Sequence, residues 1–180
     1  MCNFFTKKYK EAITSFQKVS ASKKYKPYTP YYITSIYFAE RDYSKVINYG
    51  AAKADDSKVK NRADINRLVG RAYFEEGEYT LAKKYLEYAS KKASKMDASD
   101  FYQLGFVQYQ SGEYEKAGKN FKKLNREKNK MGQLSMYYLA DTELKKGDKR
   151  SARNAFANAC LLYTSPSPRD ATLSRMPSSA

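Results

Sequence analysis

Residues 68–82 read LVGRAYFEEGEYTLA, and related segments follow at residues 103–117 (QLGFVQYQSGEYEKA) and 138–152 (YLADTELKKGDKRSA). Their glycines Gly77, Gly112 and Gly147 are 35 residues apart. Apolar residues recur every three or four positions on both sides of each glycine, which is the period of an amphipathic helix. A glycine just past a helix supplies a positive φ at low steric cost. Each segment therefore predicts two short helices joined at a glycine turn.

Small residues at matching positions predict where the two helices of each unit cross. The first-helix and second-helix pairs are Gly70 with Ala82, Gly105 with Ala117, and Ala140 with Ala152. Such residues allow two helices to approach closely. Bulkier residues four positions further along the second helix are expected to fill the space beside the crossing. These residues are Leu86, Phe121 and Phe156.

This pattern resembles the tetratricopeptide repeat (TPR), in which Leu-Gly, Tyr, a turn Gly, Tyr, Ala and Phe recur at fixed offsets. The resemblance implies an all-α fold, a right-handed superhelical solenoid of antiparallel helix pairs. The array is expected over residues 1–159, with a partial unit at 6–20, a degenerate unit at 27–57, and units at 63–96, 98–131 and 133–159. In the degenerate unit, Thr34 and Val46 replace the small pair and Arg41 replaces the turn glycine. Its two helices are therefore expected to pack farther apart or in a shifted register.

The composition changes abruptly at Cys160, after which Pro and Ser predominate. Such a composition cannot bury a core and predicts disorder. The segments 160–170 and 174–180 resemble a translated transposon-type sequencing adaptor, and residues 171–173 fall where a variable barcode would lie. Residues 160–180 are therefore interpreted as a structureless, artificial tail. The natural part is expected to be a fragment of a larger repeat protein that ends near Ala159.

The charge and residue usage disfavour an enzyme. The chain has 180 residues, a formal net charge of +15, two cysteines and no histidine. It therefore lacks the commonest general base and the commonest metal ligand. The eight glycines are scattered singly, so that no phosphate-binding loop is formed. We expect no catalytic residue, no metal and no cofactor.

The TPR resemblance implies that the first helices line a concave groove that holds a peptide or protein segment. The positions carried over to this sequence are Tyr28, Tyr31, Tyr32, Arg67, Arg71, Tyr102, Phe106, Tyr109, Tyr137 and Asp141. Tyrosine offers a large contact area and a hydroxyl group, and arginine can bind a carboxylate. The hypothesis is that Tyr102, Phe106 and Tyr109 anchor the partner while Arg67 and Arg71 bind an acidic group. For any single tyrosine, ordinary surface filler remains the alternative.

The positive charge leaves other functions open. Lysines near Tyr9 and Tyr25 could meet phosphates or an anionic membrane surface. Most other lysines are spaced as solvated helix surface and no nucleic-acid-reading motif is present, so nucleic-acid binding is disfavoured. A third alternative is an accessory region of a larger enzyme or regulator. The Tyr- and Lys-rich units also resemble Bacteroidetes envelope repeat proteins, which implies the bacterial cell envelope or periplasm. The sequence makes no prediction of oligomeric state.

Overall fold

The computed structural model describes residues 8–93 and 95–164, with side chains described as far as Cys160. In this part of the chain all regular secondary structure is helical. The helices are α1 (Tyr9–Val19), α2 (Thr29–Ala39), α3 (Tyr43–Asp55), α4 (Arg62–Glu75), α5 (Tyr79–Lys92), α6 (Ala98–Gln110), α7 (Tyr114–Lys122), α8 (Lys130–Lys145) and α9 (Lys149–Thr164). The predicted all-α repeat fold is confirmed.

The helices stack as pairs, and each pair lies against the next. The pairs α2–α3, α4–α5, α6–α7 and α8–α9 pack internally, and α1 packs on α2 as the second helix of a preceding unit. The first helices α2, α4, α6 and α8 also contact one another in succession. They therefore form one continuous side of the array, called here the first-helix face.

The helix α8 begins three residues before the predicted unit at 133–159. The Asn129 side chain caps its N-terminus by accepting a hydrogen bond from the Gly132 amide.

The turns between paired helices share one backbone conformation. Gly77, Gly112 and Gly147 have φ values of +80°, +74° and +86°, as the turn pattern predicts. Arg41 holds the equivalent place in the degenerate unit with φ +58°. In every case the amide of the residue after the turn donates a hydrogen bond to a carbonyl in the last turn of the first helix. In the degenerate unit the Asp42 amide donates to the Tyr37 carbonyl at 3.0 Å. The degenerate unit therefore forms the same turn with Arg41 in place of glycine.

Two of the three predicted crossings are close, and at both the first-helix glycine lies against the bulky residue of the second helix. A Cβ added at Gly70 would lie 2.8 Å from Leu86 Cγ, and one added at Gly105 would lie 2.9 Å from Phe121 Cε1. The opposing Ala82 and Ala117 are fully buried. The bulky second-helix side chain thus occupies the space that the first-helix glycine leaves.

In the degenerate unit the small residue of the crossing lies on the second helix and the larger residue lies on the first helix. Thr34 lies at the position of Gly70, and Gly50 lies at the position of Leu86. A Cβ added at Gly50 would lie 3.1 Å from Thr34 Cγ2 and 2.7 Å from Val69 Cγ2. This close contact contradicts a wider separation of the helices at this crossing, which was one of the two expected alternatives beside a shifted register. The glycine is on the second helix instead of the first.

The predicted tail begins later than expected. α9 continues to Thr164, so that the first five residues assigned to the structureless tail, 160–164, are helical. The sequence offers a reason, because the first residue that opposes a helix is Ser165, which precedes Pro166. Residues 165–180, the rest of that predicted tail, lie outside the described residues, as do residues 1–7 and 94.

Candidate protein-binding face

The predicted groove residues lie on or beside the first-helix face but differ in exposure. Tyr28 and Tyr137 are the most open, with 45% and 53% of their surface exposed. Leu134, one turn before Tyr137 on α8, is 37% exposed. The other predicted residues are half-buried: Tyr31, Tyr32, Arg67, Arg71, Tyr102, Phe106, Tyr109 and Asp141.

Arg67 and Arg71 on α4 are already paired with two carboxylates of the next unit. Arg67 Nη1 donates to Asp100 Oδ2 at 3.1 Å, and Arg71 Nη1 donates to Asp97 Oδ2 at 3.2 Å. Arg71 Nη1 also lies 3.5 Å from Asp100 Oδ1. This arrangement differs from the hypothesis that both arginines are free to bind an acidic group. Their guanidinium groups instead join α4 to the start of α6.

The two aspartates are held by the N-terminus of α6. Asp97 Oδ1 accepts the Asp100 amide at 3.0 Å, and Asp100 Oδ2 accepts the Asp97 amide at 2.8 Å, which is a reciprocal capping box. Burial opposes the charge on Asp97, but the Asp100 amide and both arginines outweigh it and lower the pKa of Asp97. Burial raises the pKa of the fully buried Asp100, despite the same arginines. The Asp97 carboxylate thus carries charge at the edge of the face.

Five rings of the first-helix face, together with Tyr79 at the start of α5, form an aromatic cluster; the five are Phe74, Tyr102, Phe106, Tyr109 and Tyr138. Phe106 is central, with ring centroids 5.6 Å from Phe74, 5.2 Å from Tyr79 and 5.3 Å from Tyr138. The three predicted anchors are therefore brought together, and three consecutive units contribute to the cluster. Such tilted and edge-on contacts are favourable beyond simple burial.

Sequence reasoning missed Tyr138. It connects Tyr102, Phe106 and Tyr109 with Tyr137, whose ring centroid lies 5.7 Å away. A signal was present, because Tyr138 shares the repeat position of Leu68 and Gln103. Both of those side chains are buried. Residues at this position therefore pack inside the array, and the Tyr138 ring contacts rings of the preceding unit.

Asp141 orients one tyrosine of the cluster. The Tyr109 hydroxyl donates to the Asp141 carboxylate, and Lys145 Nζ lies 3.7 Å from the same carboxylate. The hydrogen bond to Asp141, followed by burial, raises the pKa of Tyr109 above its ordinary value. Burial also raises the pKa of Tyr102 to about 12. Both hydroxyl groups therefore stay protonated at neutral pH.

The tyrosines of α2 are separate from this cluster. Tyr32 stacks on Phe16 of α1 at 5.1 Å, and Tyr31 meets Tyr32 edge-on at 5.3 Å. Tyr32 thus contributes to packing between α1 and α2. The contact from α2 toward the arginines comes instead from Phe38, whose ring centroid lies 4.9 Å from the Arg71 guanidinium carbon.

Within the described part of the chain, no group of three His, Cys, Asp or Glu side chains could hold a metal ion. Over the same residues, no helix combines the length and the apolar character needed to cross a bilayer.

No protein-family model and no curated protein matches the sequence. Among solved structures, YrrB, described as a TPR protein with an unusual peptide-binding site, matches with a TM-score of 0.68 and 16% identity. The match covers 96% of this chain and 86% of YrrB. The fold is that of a TPR array.

Two further solved structures share this fold. MamA of Desulfovibrio magneticus RS-1, from residue 41 to its end, has a TM-score of 0.62 and 19% identity, and the match covers 87% of this chain and 86% of MamA. TPR-like repeats of a Podosopora anserina protein described as a kinesin light chain give 0.53 and 14%, with 92% of each chain covered. At these identities the similarity concerns the fold alone.

Proposed function

We propose that this chain is a non-catalytic protein-interaction scaffold whose first-helix face binds a segment of a partner protein. The observation that carries the proposal is the exposure of Leu134 and Tyr137 beside the aromatic cluster. Tyrosine is enriched among binding hot spots, and exposed apolar side chains grouped in one patch mark interaction sites. The TPR-type fold and the peptide-binding site named for YrrB agree with this proposal.

The residues of the face have different roles in the proposal. Leu134 and Tyr137 make the first apolar contacts, and the half-buried rings of Tyr102, Phe106 and Tyr109 form the floor. The Tyr109–Asp141 hydrogen bond fixes the orientation of one ring. Tyr28 and Tyr31 extend the face along α2. A tyrosine side chain loses little conformational freedom on binding and offers a hydroxyl for the backbone of a bound segment.

In this proposal Arg67 and Arg71 do not contact the partner but position α6 relative to α4. Because their guanidinium groups hold Asp97 and Asp100, they set the relation of α4 to α6 and so the spacing of the floor. Replacing either arginine would leave the buried Asp100 with one cation fewer. Such a variant would lose stability as well as binding and is therefore a poor test of the face.

The test compares two pairs of exposed residues of the same types. Leu134→Ala with Tyr137→Ala changes the first-helix face, and Leu81→Ala with Tyr88→Ala changes α5, a second helix. Leu81 and Tyr88 are 40% and 38% exposed, so the two double variants remove similar side chains. Tagged chains are used to capture proteins from a lysate of the source organism, with bound proteins quantified by mass spectrometry.

A partner that is retained by the α5 variant and lost from the α8 variant supports the proposal. Hot-spot truncations of this kind cost about 2 kcal/mol each, or roughly thirtyfold in affinity. Capture that depends on Leu81 and Tyr88 would move the binding surface to the second helices and overturn the proposal. Far-UV circular dichroism and urea denaturation of both variants confirm that the comparison is made between folded proteins.

A further inference from the structure

The connection between α1 and α2 presents exposed apolar side chains among lysines. We name as the lysine–tyrosine patch Lys18, Val19, Lys23, Lys24, Tyr25 and Lys26. Val19 is 42% exposed and Tyr25 is 49% exposed, and all four lysines are exposed. An isolated exposed Tyr or Val is ordinary. Here the two lie within a segment of nine residues that carries four positive charges.

The charge of this patch is not compensated nearby in the sequence. No Asp or Glu occurs between Glu11 and Glu40. Within the described residues, none of the four patch lysines forms an ion pair. The same holds for Lys91 and Lys92 on α5, but Glu87 and Asp97 lie within six positions of those two lysines in the sequence. Lys24 Nζ lies 5.6 Å from the Tyr25 ring centroid, so the two side chains share one surface. Because the segment from residue 12 to residue 39 carries no acidic side chain, the patch attracts anions.

The backbone of the patch is held in consecutive turns. The amides of Ser22, Lys26 and Tyr28 donate to the carbonyls of Val19, Ser22 and Tyr25 at 2.9 to 3.0 Å. The Pro27 carbonyl also accepts the Lys60 amide at 2.8 Å, which ties the segment to the connection between α3 and α4. Lys60 is exposed beside the buried Val59 and adds a fifth positive charge to this region. The apolar side chains thus project from a fixed support.

We infer that the lysine–tyrosine patch binds the surface of an anionic lipid bilayer. Lysine ammonium groups near a lipid headgroup layer are attracted by its negative potential. Tyrosine rings favour the boundary between water and hydrocarbon. The exposed Val19 side chain gains from an apolar boundary and has no comparable partner on a phosphate backbone. The first forty residues contain no arginine, the residue best suited to nucleic-acid phosphates.

The lipid surface and the α8 end of the proposed protein-binding face lie in different parts of the array, and the two surfaces adjoin only at Tyr28, two residues after Lys26. The patch precedes α2, whereas Leu134, Tyr137 and the aromatic cluster lie on α4 to α8. A chain bound to lipid through the patch would keep the α8 end of the first-helix face accessible. The inference therefore does not rest on the proposed function, and either can fail without the other.

A single tryptophan provides the first test, because the chain has no natural Trp. The full chain with Tyr25→Trp is titrated with vesicles of phosphatidylcholine that contain about a quarter phosphatidylglycerol, and with vesicles of phosphatidylcholine alone. We expect a blue shift of the emission with the anionic vesicles and none with the neutral ones, since the ring enters the interface. Tyr88→Trp on α5 is the matched control and should show no shift. Equal shifts at both positions, or none at position 25, would overturn the inference.

Charge removal provides the second test, by vesicle co-sedimentation. Each lysine near an anionic surface contributes about fivefold to partitioning, so Lys24→Gln with Lys26→Gln should weaken binding about 25-fold. Lys91→Gln with Lys92→Gln on α5 removes the same charge elsewhere and should change binding by no more than about twofold, because distant charges are screened. Equal losses would show that binding follows net charge and would refute a localised patch. Tighter binding to single-stranded RNA than to vesicles, unchanged by Val19→Ser, would refute a lipid partner in favour of nucleic acid.

Discussion

Arg41 occupies a backbone conformation that its counterparts Gly77, Gly112 and Gly147 adopt with far less steric cost. Its φ of +58° lies in the left-handed region, where a Cβ crowds the following carbonyl. The sequence indicated both the glycine turns and the replacement of glycine by Arg41 in the degenerate unit, because turn geometry depends on local residues. The Asp42 side chain accepts the Lys45 amide at 3.0 Å and caps the next helix, which helps the turn persist without glycine.

We expect Arg41→Gly to stabilise the protein by about 1 kcal/mol, because the substitution relieves the left-handed strain. Urea denaturation followed by circular dichroism measures the change. Arg153→Gly is the matched control, because Arg153 is exposed within α9 and glycine there should cost about 1 kcal/mol. A loss of stability in both variants would contradict the role given to the turn.

Glu143 is a buried carboxylate whose charge is neutralised by two lysines. Lys122 Nζ lies 3.0 Å from Oε1 and Lys146 Nζ lies 2.8 Å from Oε2. Burial opposes ionisation, but the hydrogen bond from Lys146 and the adjacent Lys122 ammonium group outweigh it and lower the pKa of Glu143 below its ordinary 4.5. A lowered pKa contributes stability above pH 4.5 that is lost as the pH falls through the folded-state value.

Glu143→Gln should therefore reduce the free energy of unfolding by about 1–3 kcal/mol at neutral pH, and the deficit should shrink below pH 4.5. The lysines can turn to water, which keeps the cost below that of an orphaned buried charge. Glu115→Gln, an exposed partner of Lys146, is the control and should cost less than about 1 kcal/mol. A deficit that stays constant down to pH 3 would contradict the assigned ionisation.

At the scale of helices, one repeat position changes its chemistry from unit to unit. Tyr37 meets Tyr49 edge-on, with ring centroids 6.0 Å apart, and Tyr73 stacks on Tyr85 at 5.5 Å. In the next unit the same position is an amide pair, with Asn120 donating to Gln108 at 2.8 Å. In the last unit it is Glu143, which bonds to lysines. A helix moved to a neighbouring unit would lose its partner, so these differences favour the observed order of stacking.

The helix crossings are expected to be the most sensitive positions. Ala82→Leu should cost about 1–3 kcal/mol, because Ala82 is fully buried on α5 in a cluster with Leu104 and Val107 of α6. Lys91→Leu, on the exposed surface of the same helix, should change stability by less than about 0.5 kcal/mol. Both are measured by urea denaturation. Similar effects of the two substitutions would show that the repeat positions are wrongly aligned.

Local patterns were predictable from the sequence, whereas contacts between units were not. A fixed offset within one unit predicted that Leu86 and Phe121 lie beside the crossings of Gly70 and Gly105, and both contact those glycine positions directly. The role of Gly50 was not predicted, because the small residue of this unit lies on the second helix and the other units have it on the first. The pairing of Arg67 with Asp100 spans 33 residues and depends on how one unit rotates against the next. The groove positions carried over from the repeat family therefore include Arg67 and Arg71 on α4, but they could not show that both side chains already pair with Asp97 and Asp100.

At the scale of the whole molecule, the middle units have packed neighbours on both sides. The Arg–Asp pairs join α4 to α6, and the lysines around Glu143 join α7 to α8. α1 packs mainly on α2, and α9 packs mainly on α8, among the described helices. In a repeat array, stability is carried by contacts between neighbouring units. Local opening should therefore be easiest at the two ends.

Amide hydrogen exchange should be slowest in residues 63–125 and fastest toward α1 and α9. The measurement is exchange followed by mass spectrometry of peptic fragments from the full chain at neutral pH. The comparison of α5 with α9 is the most informative, because the two helices have the same place within their units. Uniform protection from Tyr9 to Phe156 would indicate a single cooperative globular domain and contradict an array of stacked units.

The proposal that the first-helix face holds a protein segment is tested most directly by photo-crosslinking. Tyr137 and Tyr88 are replaced in turn by p-benzoylphenylalanine in cells of the source organism, and crosslinked peptides are identified by mass spectrometry. Both positions carry exposed tyrosines, so the substitution is equally tolerable at each. We expect a recurrent crosslink from position 137 to one segment of a partner protein and none from position 88. A recurrent partner at position 88 with none at position 137 would place the binding surface on the second helices and contradict the proposal.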